Sequence, residues 1–185
     1  IHPREHDLVV ATHGRGIFIT NIRPLQEWSA AAFQKPFHVY NVRPKVKWIS
    51  SGDNNSTYNN FDGESEPSGL EVYYHSSTNQ DTAKVEILQG GLVINEMQAP
   101  VKAGMNRMVW NLQKRQRART EKEKKQAMAR LERFRSYISA ERYAAEMANL
   151  DYIMTGVQPG AYTIRMTVGG KTYNQEGHIL RDEWS

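Results

Sequence analysis

Apolar residues in this chain fall into short runs, and the first two differ in kind from the rest. Residues 7–12 (DLVVAT) and 17–22 (IFITNI) are nearly continuous in β-branched and apolar side chains. His13-Gly14-Arg15-Gly16 separates them, and its glycines tolerate the backbone angles of a tight reversal. The pattern predicts a β-hairpin whose strands are covered on both faces. Two strands alone are marginal in water, so the hairpin is expected to belong to something larger. Arg23-Pro24 ends the second strand, LQEWSAAAF reads as a short helix or turn, and Pro36 stops it.

From Phe37 onward the pattern becomes one of half-buried strands. Runs at 37–42, 45–50, 70–76, 83–89, 92–97, 106–112, 161–168 and 171–180 are separated by explicit turns: Gly90-Gly91, Lys102-Ala103-Gly104 and Gly169-Gly170. Tyr162, Ile164, Met166 and Val168 place one apolar side chain on every second residue, as do Val85 and Ile87. This spacing predicts a β-sandwich with one face of each sheet buried, mainly β overall. Trp48, Trp110 and the Tyr73-Tyr74 pair suit its core and its cross-strand contacts.

Residues 114–155 interrupt the series with a helical period. Thr120-Glu121-Lys122-Glu123 is a capping-box pattern. Met128, Leu131, Phe134 and Ile138, then Tyr143, Met147, Leu150 and Met154, recur at helical spacing. The expected element is an inserted α-helical hairpin with its apolar stripes packed on each other or on the sheet.

Composition narrows the class. At 185 residues with 39% hydrophobic and 24% charged residues the chain suits one folded core, and zero cysteines exclude disulfides, thiolate metal sites and a cysteine nucleophile. No apolar run approaches the roughly 18 residues of a membrane span. The net charge of +4 is uneven: Lys114 to Arg142 hold 11 Lys or Arg against 4 Glu, a local +7, so the remainder sums to −3. Any anionic partner would have to be met by that segment.

The stretch from His2 to Leu25 resembles the end of the sortilin-type β-propeller family of bacterial proteins, which carry sialidase-like repeats and are often labelled as glycosyl hydrolases. DLVVATHGRGIFI is similar to the strands closing the last blade of those propellers. FDGESEPSGLEVYYHS, AKVEILQGGLVINEM with KAGMNRMVWNL, and VQPGAYTIRMTVGGKTYNQEGHIL resemble successive parts of the immunoglobulin-like sandwich that follows. About two-thirds of the chain is covered. The aspartate-box repeats of the blades (Ser-x-Asp-x-Gly-x-x-Trp in form) do not occur in the sequence, and the helical segment is longer than the family's usual loop.

The resemblance implies a remnant of the last blade over 1–25, a linker over 26–36 and the sandwich over 37–185. It further implies an exported protein, periplasmic or secreted, with the propeller itself as the main partner of this region.

Candidate chemistry is sparse. His2, His6 and His13 lie near Glu5 and Asp7. A strand of about 3.3 Å per residue holds His6 and His13 apart, so surface and turn roles are expected rather than a metal site. Asp53, Asn55, Thr57, Asn59 and Glu64 have the spacing of a calcium loop, but Tyr58 stands where the loop requires glycine. No Ser-His-Asp set, phosphate-cradling glycine loop or His-Glu-x-x-His helix occurs. No cofactor is expected.

The candidate ligand-binding residues are His13 and Arg15 at the hairpin tip and Arg115, Arg117, Arg119, Lys122, Lys124 and Lys125 in the basic run. That run has no interleaved aromatic residue, which argues against a nucleic-acid stacking platform. The expected function is a non-catalytic accessory domain that braces a propeller and presents a protein- or glycan-binding surface. Two alternatives stand beside it: part of a glycoside hydrolase whose cleft this domain shapes, and an anionic-polymer binder acting through the basic run. The unpaired hairpin is also a route to homo-oligomers.

Overall fold

In the computed structural model, residues 6–14, 16–27, 29, 34–48, 68–138 and 140–182 are described. The chain is mainly β. The opening hairpin pairs β1 (Asp7–Ala11) with β2 (Ile17–Asn21) in antiparallel register, Val9 opposite Ile19 and Val10 opposite Phe18. Hydrogen bonds from Thr12 N to Gly16 O (2.8 Å) and from Ile22 N to His6 O (2.9 Å) close its two ends. Among the described residues the two strands form a sheet of their own. One helical turn follows, α1 (Arg23–Gln26), with Pro24 where a first-turn N–H has no partner to lose.

Two sheets share the main core. The smaller has the order β3-β5-β8, built from β3 (Phe37–Val39), β5 (Leu70–Ser76) and β8 (Gly104–Trp110). The larger has the order β4-β12-β11-β6-β7, from β4 (Lys45–Lys47), β6 (Gln80–Gln89), β7 (Leu92–Val101), β11 (Gly160–Val168) and β12 (Lys171–Arg181). The chain passes from one sheet to the other between β3 and β4, across Pro44, and β4 then runs parallel to β12. Pro100 lies in β7, an edge strand, where a missing N–H can face outward.

The alternation read from the sequence is the alternation that packs. Tyr162, Ile164, Met166 and Val168 are buried while Thr163, Arg165 and Thr167 lie on the other face. They meet Leu70, Val72, Tyr74, Met108 and Trp110 of the smaller sheet in one cluster. The Trp110 and Tyr162 rings stand edge to face at 5.2 Å. Gly177 of β12 allows a close approach between the sheets: a Cβ there would lie 2.7 Å from Ile164 Cδ1 and 2.8 Å from Leu70 Cδ2. The two-residue turns Gly90-Gly91 and Gly169-Gly170 all have positive φ (57° and 82°, 54° and 76°), which is why glycine pairs stand there.

Two sequence expectations are corrected. Residues 114–155 are not helical throughout: β9 (Gln113–Ala118) pairs antiparallel with β10 (Tyr152–Gly156), and helices occupy only the span between them, α2 (Glu121–Phe134) and α3 (Ala140–Ala148) joined through a single 3-10 turn. The sequence 113–118 (QKRQRA) carries no apolar alternation because its ribbon has little apolar surface to cover. Leu112, held at φ 57°, turns the chain out of β8 into this ribbon, and Val157 N returns a 2.9 Å hydrogen bond to its carbonyl. Trp48 is not a core residue: it is 65% exposed just past the short outer strand β4. Trp110, by contrast, is fully buried. The calcium-like spacing at 53–64 lies outside the described residues.

Candidate functional site

Three features of the described residues have the makings of an interaction site: the opening ribbon, the basic run, and the space between the two helices. In the ribbon, Val9, Ile17 and Ile19 are 53%, 70% and 67% exposed on one face, and Val10 and Phe18 are 43% and 64% exposed on the other. Apolar exposure on both faces of a strand pair is the reverse of what its composition favours. His13 sits exposed in the turn; Arg15 lies outside the described residues. Near the ribbon's base His6 Nδ1 contacts Gln26 Oε1 at 2.5 Å, and Asn21 donates to Asp7 at 3.0 Å. These two candidate metal ligands thus face other partners, and His2 and Glu5 fall outside the described residues.

The basic run is divided by the fold into a strand and a helix, and most of its charge is met internally. Arg115 on β9 reaches Glu96 of β7 at 2.6 Å, and its guanidinium lies 4.3 Å over the Tyr152 ring of β10. Glu96 also receives Lys84 at 3.1 Å, and Lys84 reaches Glu86 at 2.8 Å. The hydrogen bonds of Arg115 and then Lys84 hold the Glu96 carboxyl below its usual range. Arg117 grips Glu123 with both guanidinium nitrogens, at 3.0 and 2.8 Å. Arg119 Nη1 donates to the carbonyl oxygens of Leu150 (2.8 Å) and Asn149 (3.4 Å), which fastens the start of α2 to the end of α3.

Glu123 is the centre of the helix start. Thr120 N donates to its carboxylate at 2.8 Å, and Thr120 Oγ1 accepts from Glu123 N at 3.4 Å, completing the capping box that the sequence spells out. The hydrogen bond from Arg117, followed by that from the Thr120 backbone, lowers its carboxyl to about 2. Lys124 pairs with Asp151 at 2.8 Å and Glu121 at 3.2 Å. Lys122 and Lys125 are exposed on α2. The structure therefore joins Arg115, Arg117, Arg119 and Lys124 to acidic or carbonyl partners, and directs Lys122 and Lys125 to solvent. The acidic partner Glu96 is not legible as such in the sequence, because it lies on β7 and meets Arg115 of β9 only in the fold.

The helices do not bury their apolar stripes. No residue of α2 is buried; Met128 and Leu131 are half-buried and Phe134 is 46% exposed. Tyr143 Oη donates to Glu132 at 2.6 Å, and Arg135 lies 4.9 Å over the Tyr143 ring, so the two helices are tied near their junction. A groove of about 590 Å³ is lined by Leu131, Phe134, Ile138 and Leu150 together with Arg119, Arg130, Arg142 and Glu146.

Among the described residues no three His, Asp or Glu side chains converge on a metal-sized space, and no helix is long and apolar enough to cross a membrane. Comparison with protein-family models, with curated proteins and with solved structures gave no match.

Proposed function

We propose that this chain is a non-catalytic accessory module: the β1–β2 ribbon completes a larger all-β body, and the two-sheet unit after Phe37 braces that body and presents its helices to a protein or glycan partner. The observation that carries this reading is the ribbon itself, in which five of the six large apolar side chains are 43–70% exposed over both faces. A strand pair inside a blade of a propeller has neighbours on each face and on at least one ladder edge, which is the environment such a sequence fits. The resemblance of DLVVATHGRGIFI to the closing strands of a sortilin-type propeller names the body, and with it an exported, periplasmic or secreted setting.

The immunoglobulin-like reading of the two-sheet unit is supported by its strand order. One edge strand, β4, runs parallel to the last strand, β12, after the chain has switched sheets, and β11 is central in its sheet. Tyr162 at the start of β11 donates through its hydroxyl to Gln158 O, four residues upstream, at 2.5 Å, the arrangement known as a tyrosine corner in such domains. Its partner ring is the buried Trp110.

Fragment complementation tests the proposal. A sortilin-type propeller deprived of its closing hairpin should bind this chain saturably, and Phe18→Lys with Ile19→Lys should abolish binding. Binding that survives both substitutions would refute the role given to the ribbon.

A further inference from the structure

We infer that His38 and His75 form a pH-sensitive latch on β3, the short strand through which the chain of the ribbon enters the sandwich. With neutral imidazoles β3 stays paired to β5; protonation in mild acid loosens β3 and the segment it anchors. The inference goes beyond the accessory role and holds whatever the ribbon joins.

The strand register brings the two rings together. His38 and His75 are partners across the antiparallel β3–β5 ladder. Phe37, Val39 and Tyr74 belong to the core, so alternation places both histidines on the opposite face of the smaller sheet. Side chains in directly opposed positions have Cβ atoms about 4.5–5.5 Å apart, near enough for two imidazolium charges to repel. Water has little access to this face: His75 is 4% exposed, and Tyr40, whose ring meets that of His38 edge-on at 4.9 Å, is 1% exposed.

β3 is also where the ribbon's chain is fastened. It has three residues and lies at the edge of its sheet. Residues on either side of it hold the incoming segment: Glu27 Oε2 accepts from Asn41 N at 3.0 Å, and Pro36 O accepts from Ser77 N at 2.9 Å. Tyr40 N donates to Tyr73 O at 3.0 Å and ends the pairing.

The groups around His38 favour its neutral form. Burial, then the Lys35 ammonium, and after these His75, hold its imidazole below the ordinary value against the attraction of Glu27. The Tyr40 hydroxyl, pushed up by burial and then by Glu27, carries no charge in this range. On β5 and β8, Glu71 is paired with Arg107 at 2.8 Å. A folded value below the unfolded one means that the open strand binds more protons. The stabilisation is therefore complete above pH 6.5, the ordinary histidine value, and is lost as the pH falls from there through the folded value.

Amide exchange on the full chain, compared at about pH 7.5 and about pH 5 after correction for intrinsic exchange, tests the latch. Protection of the Tyr40 and Ser77 amides should fall about three- to tenfold, while Ile87 and Ile164 keep theirs. The His38 ring, followed by NMR, should titrate below pH 6.5. His38→Phe keeps a flat ring beside Tyr40 and His38→Gln keeps a polar one-sided contact; neither titrates, and either should make β3 protection independent of pH. His6 contacts Gln26 at the base of the ribbon, and His6→Gln should leave the fall intact.

A fall that persists in both His38 variants would overturn the inference. So would an equal loss at Ile87 and Ile164, or unchanged β3 protection in the parent chain. Phe18→Lys in the ribbon should leave the fall as it is, so failure of the latch and failure of the ribbon's role are read separately.

Discussion

Val10 and Phe18 stand opposite each other across the β1–β2 ladder, and both are turned to solvent, 43% and 64% exposed. A cross-strand apolar pair of this kind stabilises a sheet when a layer covers it. Uncovered, it offers a patch to any partner or dye. Phe18→Lys is therefore expected to lower binding of a hydrophobic dye by the isolated chain while leaving the thermal midpoint of the two-sheet unit unchanged. An exposed substitution remote from the core changes stability by about 0.5 kcal/mol or less. A large drop in the midpoint, measured by calorimetry, would mean that the ribbon is part of the main core.

At the centre of that core, Tyr162 and Gly177 are register partners across β11 and β12, and substitution separates the hydroxyl bond of the first from the close packing at the second. Tyr162→Phe removes the bond to Gln158 O with little change of shape and is expected to cost about 1 kcal/mol. Gly177→Ala must push apart Ile164 and Leu70 and is expected to cost about 1–3 kcal/mol. Urea unfolding measures both, and a neutral Gly177→Ala would show that the two sheets are less closely packed than their geometry indicates.

The internal pairing of the basic run sets its salt dependence. With Arg115, Arg117 and Lys124 on carboxylates and Arg119 on carbonyls, Lys114, Lys122 and Lys125 remain for phosphates. Binding to a short DNA duplex should then show a slope of log affinity against log salt no steeper than about −3, compared with about −6 if all seven cations from Lys114 to Lys125 engaged. The steeper slope would show that the ion pairs open for a polyanion.

Acid should loosen the start of α2 as the pH falls below the usual carboxylate range. The folded Glu123 carboxyl titrates at about 2, below the usual 4.5, so its stabilisation is complete above pH 4.5 and is lost as the pH falls from there toward 2. Amide exchange at Glu121–Lys124 should rise over that window, less so at high salt because the group is exposed. Glu123→Gln keeps a hydrogen-bonding cap but removes the titration, so the pH dependence of this turn should disappear. Persistence of the same profile in the variant would assign it to another group.

What is legible in the sequence is whatever a single strand or turn encodes by itself. Tyr162 to Val168 announce their buried face by alternation, Gly169-Gly170 announces a turn, and Thr120 with Glu123 announces a helix start, because each of these signals is local. The β9–β10 ribbon is hidden because Arg115 and Arg117 look like helix-surface residues until Glu96 and Glu123 are brought to them by the fold. Trp48 misleads for a related reason: composition says that tryptophan favours burial, but only topology tells that β4 is the outer strand of its sheet. The lining of the groove is likewise hidden, since Arg119, Arg130 and Arg142 are spread over 24 positions of sequence and border one space only in the fold.

Residue-resolved hydrogen exchange on the monomeric chain tests most directly the claim that the ribbon was shaped for a larger body. Amides of β6 and β11, each paired on both sides, should exchange only through global unfolding, while those of β1 and β2 exchange orders of magnitude faster and gain protection when a β-body partner is supplied. Protection of Val9, Phe18 and Ile19 equal to that of Ile87 and Ile164 in the isolated monomer would contradict the account.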